Sequence, residues 1–459
     1  MFKIDIPTGA GLIMRILEQA GYKAYIVGGC VRDNLLGKTP HDWDICTSAD
    51  PYEVFNILDE RGIRVLTTGL KHGTVTAMYG TDQFEITTFR TESGYSDNRH
   101  PDTVEFVNDI KADLARRDFT INAMAYNDTE GLIDPYGGSD DLVKGVIRCV
   151  GNPYERFTED ALRILRAMRF ASTYNFGIEE KTSEAIHRSS WRLKNISAER
   201  IRDELCKMLL GDCAFFMFLN YNDVITHIIP ELYDCLGFEQ NNPYHCYDVY
   251  HHIAHAVDNY EGDDISIKMA LLLHDIAKPH CYSEDENGGH FYGHGVISKD
   301  IAEKVLDRLK FDNKTKSEVL ELVLFHDSLI APTFRAVRRW MNKLKHVTIQ
   351  QLMAVKKADI LAHSNAGKHY DLLKECDEVL RIAEQVVIEN QCFKLKDLAI
   401  NGHDVMSFGF SGKNVGYILD HLLNKVIDGE LKNDREALMA ELGRNIYRSL
   451  LPEYYIFRR

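Results

Sequence analysis

The sequence predicts an α+β chain: a small head of mixed strands and helices followed by a mainly α-helical remainder. Three observations carry this. A short apolar strand at 23–27 runs into Gly28-Gly29 and then into a helical segment from Val31. Alternating segments at 74–79 and 84–89 flank Gly80-Thr81-Asp82-Gln83, the pattern of a hairpin. From about residue 155, apolar residues recur at helical spacing almost to the end. Between these, the polar stretch 91–102 reads as a mobile loop. Boundaries are expected at 236–244, which holds Gly237, Asn241, Asn242 and Pro243, and near 392–402.

Composition narrows the class. A chain of 459 residues is long for one compact domain, so two to four are expected. The N-terminal residues hold no apolar run of signal-peptide length, and no stretch approaches the roughly 20 apolar residues that span a bilayer. Ten cysteines are scattered without a Cys-x-x-Cys pair, as expected of reduced thiols in a cytoplasmic protein with no membrane partner. The sequence carries no signal for oligomeric state. A net charge of −15 repels a polyanion at long range. Nucleic-acid binding would therefore need a local basic track, for which Arg163, Arg166 and Arg169, and Arg335, Arg338, Arg339, Lys343 and Lys345, are the candidates.

Chemistry begins at Gly28-Gly29-Cys-Val-Arg32-Asp33. Two glycines between a strand and a helix let backbone N–H groups approach a phosphate, with Arg32 to clamp an oxygen and Asp33 to orient it. Nine residues on comes Asp42-Trp-Asp44. If 43–47 is a strand, both carboxylates point to one face and repel unless a cation lies between them. An Asp-x-Asp alone fits a solvated strand edge. Behind the Gly-Gly-x-x-Arg-Asp turn, a Mg²⁺ site becomes the better reading, with Glu85 a weaker candidate for a third carboxylate.

These motifs resemble the head of the DNA polymerase β superfamily of nucleotidyltransferases. Three more segments resemble the bacterial-type tRNA nucleotidyltransferases, the CCA-adding enzymes. They are Arg116-Arg117-Asp118-Phe-Thr-Ile-Asn122, then Asp134-Pro-Tyr-Gly-Gly138 with Asp141-Leu142, and Glu159-Asp160-Ala-Leu-Arg163-Ile-Leu-Arg166. The resemblance implies a nucleotidyltransferase head at 1–150, a helical neck at 151–235, a metal-binding body at 236–370 and a helical tail at 371–459. It also implies tRNA, CTP and ATP as partners.

Residues 160–170 read as one helix, with Thr158 as N-cap and Asp160, Arg163, Arg166 and Arg169 along one face. The plain reading is an intrahelical ion pair. The chemical reading is that Asp160 accepts and Arg163 donates, matching the amino donor beside a ring acceptor that cytosine and adenine share. Uracil and guanine present the reverse order. The resemblance implies this role for Glu-Asp-x-x-Arg, with Arg117, Arg166 and Arg169 holding triphosphate or primer end.

A second constellation comprises Asp248-Val-Tyr-His-His252, Leu271-Leu-Leu-His274-Asp275-Ile-Ala-Lys278, His294, His326-Asp327 and Asp359. Imidazole and carboxylate ligands suit borderline divalent metals such as Ni, Mn, Co or Zn. The set resembles the HD phosphohydrolase domain, which implies His252, His274, Asp275 and Asp359 as ligands, with His294 and His326 completing a second metal position. His251 and His255, at i and i+4, are an alternative to His252. An active hydrolase and a scaffold both fit this pattern.

Residues 395–442 resemble the tail with which family members grip tRNA. Within the family, a shortened loop after the head sheet marks CC-only enzymes. Here the loop is full length, with Arg90, Glu92, Tyr95, Asp97 and Arg99 in place, which disfavours that reading. An A-adding specialist and a phosphohydrolase with a vestigial head remain the alternatives.

Overall fold

The computed structural model describes residues 3–70, 73–95, 102–241, 246–286, 288–363 and 369–444. The chain divides into two compact units, Met1–Tyr233 with Arg308–Lys310, and Asp234–Asp307 with Phe311–Arg459.

The first unit opens with a seven-stranded sheet of order β3-β4-β5-β2-β1-β8-β9. Its strands are β1 (Ala24–Val27), β2 (Ile45–Thr47), β3 (Arg64–Leu66), β4 (Thr74–Tyr79), β5 (Asp82–Thr88), β8 (Ala125–Asn127) and β9 (Gly131–Ile133). β1 reads Ala-Tyr-Ile-Val and is buried throughout, because it lies in the middle of the sheet. β5 alternates instead: Phe84, Ile86 and Thr88 are buried, which turns Glu85 to the opposite face. The hairpin turn is tighter than expected. Asp82 already pairs with Tyr79, leaving Gly80-Thr81 as a two-residue loop, with Gly80 at φ 62°.

Two further expectations are corrected here. The stretch read as a mobile loop forms, at its base, a two-stranded ribbon of β6 (Arg90–Ser93) and β7 (Thr103–Phe106). Polar strands escape a hydrophobic-period reading. This one is fastened by Glu92, which accepts from Arg90 (2.7 Å), Arg116 (3.1 Å) and Tyr95 (2.8 Å). Asp97 and Arg99 lie outside the described residues. The Asp-x-Asp pair also precedes its strand rather than lying in it, since β2 starts at Ile45.

Helices then take over. Asn152 caps the helix Pro153–Glu159 by accepting from Tyr154 N (3.1 Å), with proline at the first position, where no N–H is needed. The expected single helix at 160–170 is broken at its start. Thr158 is interior to the first helix, and Asp160 is extended (φ −142°, ψ 105°). A new helix, Leu162–Tyr174, begins after it. The Asp160 carboxylate accepts from Leu162 N (3.0 Å), so an acidic side chain caps the second helix where periodicity showed one continuous helix.

Among its described residues the second unit is helical apart from one short hairpin, Ser283–Asp285 with Gly288–His290. Residues 392–442 have a hydrophobic core of their own, around Val405, Ile418, Leu422, Leu423, Ile427 and Leu438. The basic cluster at 335–345 is not a free track. Arg335 (3.0 Å) and Arg339 (2.7 Å) bind Asp428, and Arg338 donates to Ile427 O (2.7 Å). Three arginines thus close the carboxyl end of the helix Lys413–Asp428, where carbonyls lack partners and cations are favoured. Among the described residues, no helix is long and apolar enough to cross a membrane.

Candidate active site and metal centre

In the first unit the site assembles where β1 ends. Gly28 has φ 78°, a conformation that L side chains rarely adopt, and a Cβ there would lie 2.8 Å from Arg117 Nη1. The glycine therefore makes room for a guanidinium. β2 runs parallel to β5 with Ile45 opposite Ile86, which sets Asp44 beside Glu85. Asp44 also bonds to the end of β1, its carbonyl accepting from Val27 N (3.0 Å). Burial raises the Asp44 pKa; Glu85 and Asp42 raise it further, and Arg117 opposes them. Asp44, the buried member of the three, thus sits in the negative field of Glu85 and Asp42, which a divalent cation would relieve. Asp42 is the outermost, 82% exposed, and contacts only His41 Nδ1 (3.0 Å) among the described residues.

Arg32 lies behind the turn. It donates to Asp33 (2.9 Å) and Asn122 (2.6 Å), and its guanidinium packs on Phe170 (5.1 Å) and Tyr174 (5.0 Å). Asn122 in turn donates to Asp118 Oδ1 (3.0 Å), whose other oxygen accepts twice from Arg166 (2.9 and 2.6 Å). Burial alone would raise the Asp118 pKa. Arg166 and Asn122 outweigh it and hold that carboxyl well below the usual range. Asp118 and Asn122 stood in the recognised motif without a role; the structure makes them the link between Arg32 and Arg166.

The expected Asp160–Arg163 pair is not formed. Arg163 binds Glu159 (2.6 Å) and donates to Arg116 O (3.1 Å), while Asp160 accepts from Arg200 (2.7 Å). Arg169 pairs with Glu204 (2.9 Å) and lies 4.0 Å from the Phe170 ring centre. Arg200 and Glu204, both on the helix Ala198–Leu209, were missed because a distant helix supplies them with no motif of its own.

The second unit gathers the other set. His252 comes from the helix Val249–Asp258, His274 follows Ile265–Leu273, and Asp359 comes from Ile349–Leu361. Ligand atoms of His252, His274, Asp275 and Asp359 all lie within 4.8 Å of one another, as do those of Asp275, His294 and His326. His252 is chosen over its neighbours. His251 binds the capping Asp248 (2.8 Å), and His255 stacks on Tyr247 (4.2 Å).

Tautomers explain why this set suits a metal. Each Nδ1 faces a backbone carbonyl: Ala362 for His252 (3.3 Å), Leu271 for His274 (2.7 Å), Phe291 for His294 (2.7 Å) and Val323 for His326 (2.7 Å). A carbonyl only accepts, so Nδ1 carries the proton and Nε2 presents a lone pair. Those lone pairs converge: His294 and His326 approach to 3.0 Å, and His252 lies 2.9 Å from Asp359. Burial opposes the His274 imidazolium, but Asp275 and Asp359 push its pKa up to about 10. Lys278 adds a buried cation, 2.7 Å from Asp275 and 2.8 Å from Gln240. A cavity of about 300 Å³, lined by Asp275, Lys278, His294, His326, Asp359 and His363, opens onto the set.

The first unit thus joins a small sheet to a glycine turn that lies beside Asp44 and Glu85, followed by helices. Comparison with known proteins makes the family specific. Residues 24–148 match the "Poly A polymerase head domain". Residues 175–236 match the "Probable RNA and SrmB- binding site of polymerase A", and 294–442 match tRNA nucleotidyltransferase domain 2. The CCA-adding enzyme of Lactobacillus johnsonii is 33% identical over 445 residues, 96% of this chain and 98% of that one. That of Lactobacillus helveticus is 50% identical over 219 residues, 47% of this chain; the match spans only 54% of that relative. Other highly identical relatives are likewise spanned over about half their length. The crystal structure of the Bacillus stearothermophilus CCA-adding enzyme in complex with CTP superposes with TM-score 0.68 at 27% identity, covering 97% of this chain and 100% of that one. The chain belongs to the CCA-adding enzymes.

Proposed function

We propose that this protein adds C, C and A to the 3′ end of tRNA from CTP and ATP, without a template. One chain of contacts supports the reading most directly. Arg117 lies against Gly28 and its charge acts on Asp44, and the adjoining Arg116 carbonyl accepts from Arg163. The carboxylates, the triphosphate arginine and the base-reading segment are therefore neighbours in this reading.

In this reading Asp42 and Asp44 would hold two Mg²⁺, which would supply acidification of the tRNA 3′-hydroxyl and neutralisation of the triphosphate. Gly28, Gly29, Arg32 and Arg117 hold the phosphates, with Arg166 and Arg169 adding positive potential toward triphosphate or primer end. Asp160 accepts the amino group of cytosine or adenine, and Arg163 donates to the ring nitrogen. Uracil and guanine would leave both groups facing like partners, which is costly when water is excluded. Each side chain must first leave its present partner, Arg200 or Glu159, on the same helical scaffold. The ordered ribbon at 90–93 and 103–106 keeps the loop base at full length, which favours CCA addition over CC addition alone. The test is nucleotide addition to tRNA lacking its end, with CTP and ATP supplied singly and together.

The converging imidazole lone pairs support a second activity: hydrolysis of phosphate esters at damaged tRNA ends, at a Ni, Mn, Co or Zn site. His252, His274, Asp275 and Asp359 would hold one ion, and His294 and His326 would complete a second position with Asp275. Purified protein with neither bound transition metal nor phosphodiesterase activity would remove this reading.

A further inference from the structure

Within the first unit, the helix Leu162–Tyr174 ends on an aromatic residue. Phe170 and Tyr174 lie one helical turn apart, so their rings share a face and stack at 6.1 Å with 14° between planes. Asn175 takes the left-handed conformation (φ 55°) that ends the helix, and Phe176 packs against the Tyr174 ring at 5.7 Å. The Tyr174 hydroxyl donates to Asp33 Oδ1 (3.0 Å), the same oxygen that accepts from Arg32 Nε (2.9 Å). Burial pushes the Tyr174 pKa up to about 12, so at neutral pH the hydroxyl keeps the proton it donates. Arg32 is thereby held on all sides but one. Asp33 takes Nε, Asn122 takes Nη1, and the guanidinium lies over the Phe170 and Tyr174 rings. Among the described residues Nη2 has no hydrogen-bond partner, and it lies 3.5 Å from where a Cβ on Gly29 would stand.

We propose that Tyr174 is a positioning residue for Arg32: its ring and hydroxyl fix the guanidinium so that Nη2 meets a phosphate oxygen of the nucleotide at the glycine turn. A guanidinium is a planar fork, and one whose plane and two nitrogens are already held loses little freedom when the last nitrogen binds. Affinity gained this way comes from order set before the ligand arrives, not from a new contact. The group that sets this order lies 141 residues along the chain from Asp33, at the end of the helix that also carries Arg163 and Arg166. The proposal rests on Arg32 holding the triphosphate. Lys38 also lies over the Tyr174 ring, with Nζ 4.7 Å from its centre, so the test must separate the two cations.

The experiment measures KM and kcat for CTP on tRNA lacking CCA, and the inhibition constant of inorganic tripolyphosphate, with the full-length protein. The variants are Tyr174→Phe, Tyr174→Leu, Arg32→Gln and the double variant Arg32→Gln/Tyr174→Phe. Tyr174→Phe keeps the ring and loses the bond to Asp33; the KM for CTP and the tripolyphosphate constant should both rise about three- to tenfold. Tyr174→Leu removes the ring as well and should raise both at least as far. In both Tyr174 variants, kcat and the preference for CTP over UTP should stay within about twofold of wild type, because the affected contact is to phosphate. In the Arg32→Gln background, Tyr174→Phe should add no more than about twofold. An unchanged KM in both Tyr174 variants overturns the proposal. So does a full further rise in the Arg32→Gln background, which would route the effect through Lys38 or through general loosening. Loss of base preference together with kcat would mark Tyr174 as merely structural and overturns it too. Arg32→Gln with the wild-type KM would instead overturn the phosphate role of Arg32 beneath it.

Discussion

Arg166 reaches across 48 residues of sequence to place two hydrogen bonds on one oxygen of Asp118, at 2.9 and 2.6 Å. Through Asn122 the same carboxylate is coupled to Arg32, so one buried anion joins the neck to the glycine turn. Asp118→Asn should leave Arg166, among the described residues, with only the more distant Glu204 (3.9 Å) as ion-pair partner. Loss of a charge-assisted bond of this kind costs about 1.5–3 kcal/mol, read as a lower midpoint in urea unfolding. The folded pKa of Asp118 is depressed, so its contribution is full above the unfolded value near 4 and fades as pH falls below it. The gap between wild type and variant should therefore be constant from pH 6 to 8 and shrink below about pH 4.

Gly28→Ala should displace Arg117. The added methyl meets Nη1 at 2.8 Å, and φ 78° strains any L side chain. We expect catalytic efficiency, kcat/KM, for CTP to fall about 10–100-fold, since a misplacement of about 1 Å costs on the order of 10²-fold. An unaltered kcat/KM for CTP would show that Arg117 does not depend on the turn.

Asp160→Ala removes both the proposed base acceptor and a helix cap. The cap costs about 1 kcal/mol of stability. Discrimination of CTP and ATP against UTP and GTP should fall by about 10²-fold or more before chemistry stops. Arg200→Ala, which removes only the resting partner of Asp160, should preserve discrimination. A Asp160→Ala variant that still rejects UTP and GTP fully would contradict the base-reading role.

His274→Ala should abolish transition-metal retention, measured by elemental analysis after dialysis, while CTP and ATP addition continues within about twofold. Its Nε2 lies 3.2 Å from Asp275 and 3.4 Å from His252, at the centre of the set. Metal retained in the variant would place the ion elsewhere.

Much of this was legible in the sequence because it is local. β1, the glycine turn and β4 occupy short apolar segments with clear punctuation, and the histidine set is spaced on helices whose ends fix its members. What escaped was supplied from afar or by polar groups. The break at Asp160 depends on a side-chain cap inside a continuous apolar pattern. The ribbon strand at 90–93 is held by Glu92 and two arginines, and hydrophobic periodicity registers neither. The arginines at 335–339 suggested a nucleic-acid track, yet Asp428, about ninety residues on, engages two of them. Charge written in a sequence shows composition; only the fold shows which charges already have partners.

Asp42→Ala and Asp44→Ala test the central claim most directly, on tRNA ending before C, after C and after CC, with CTP and ATP. Wild-type protein should complete CCA on all three. Each variant should lose addition by about 10³-fold or more while binding tRNA nearly as well as wild type. Appreciable turnover in either variant, or wild-type protein that adds only A to the CC end, would contradict the account.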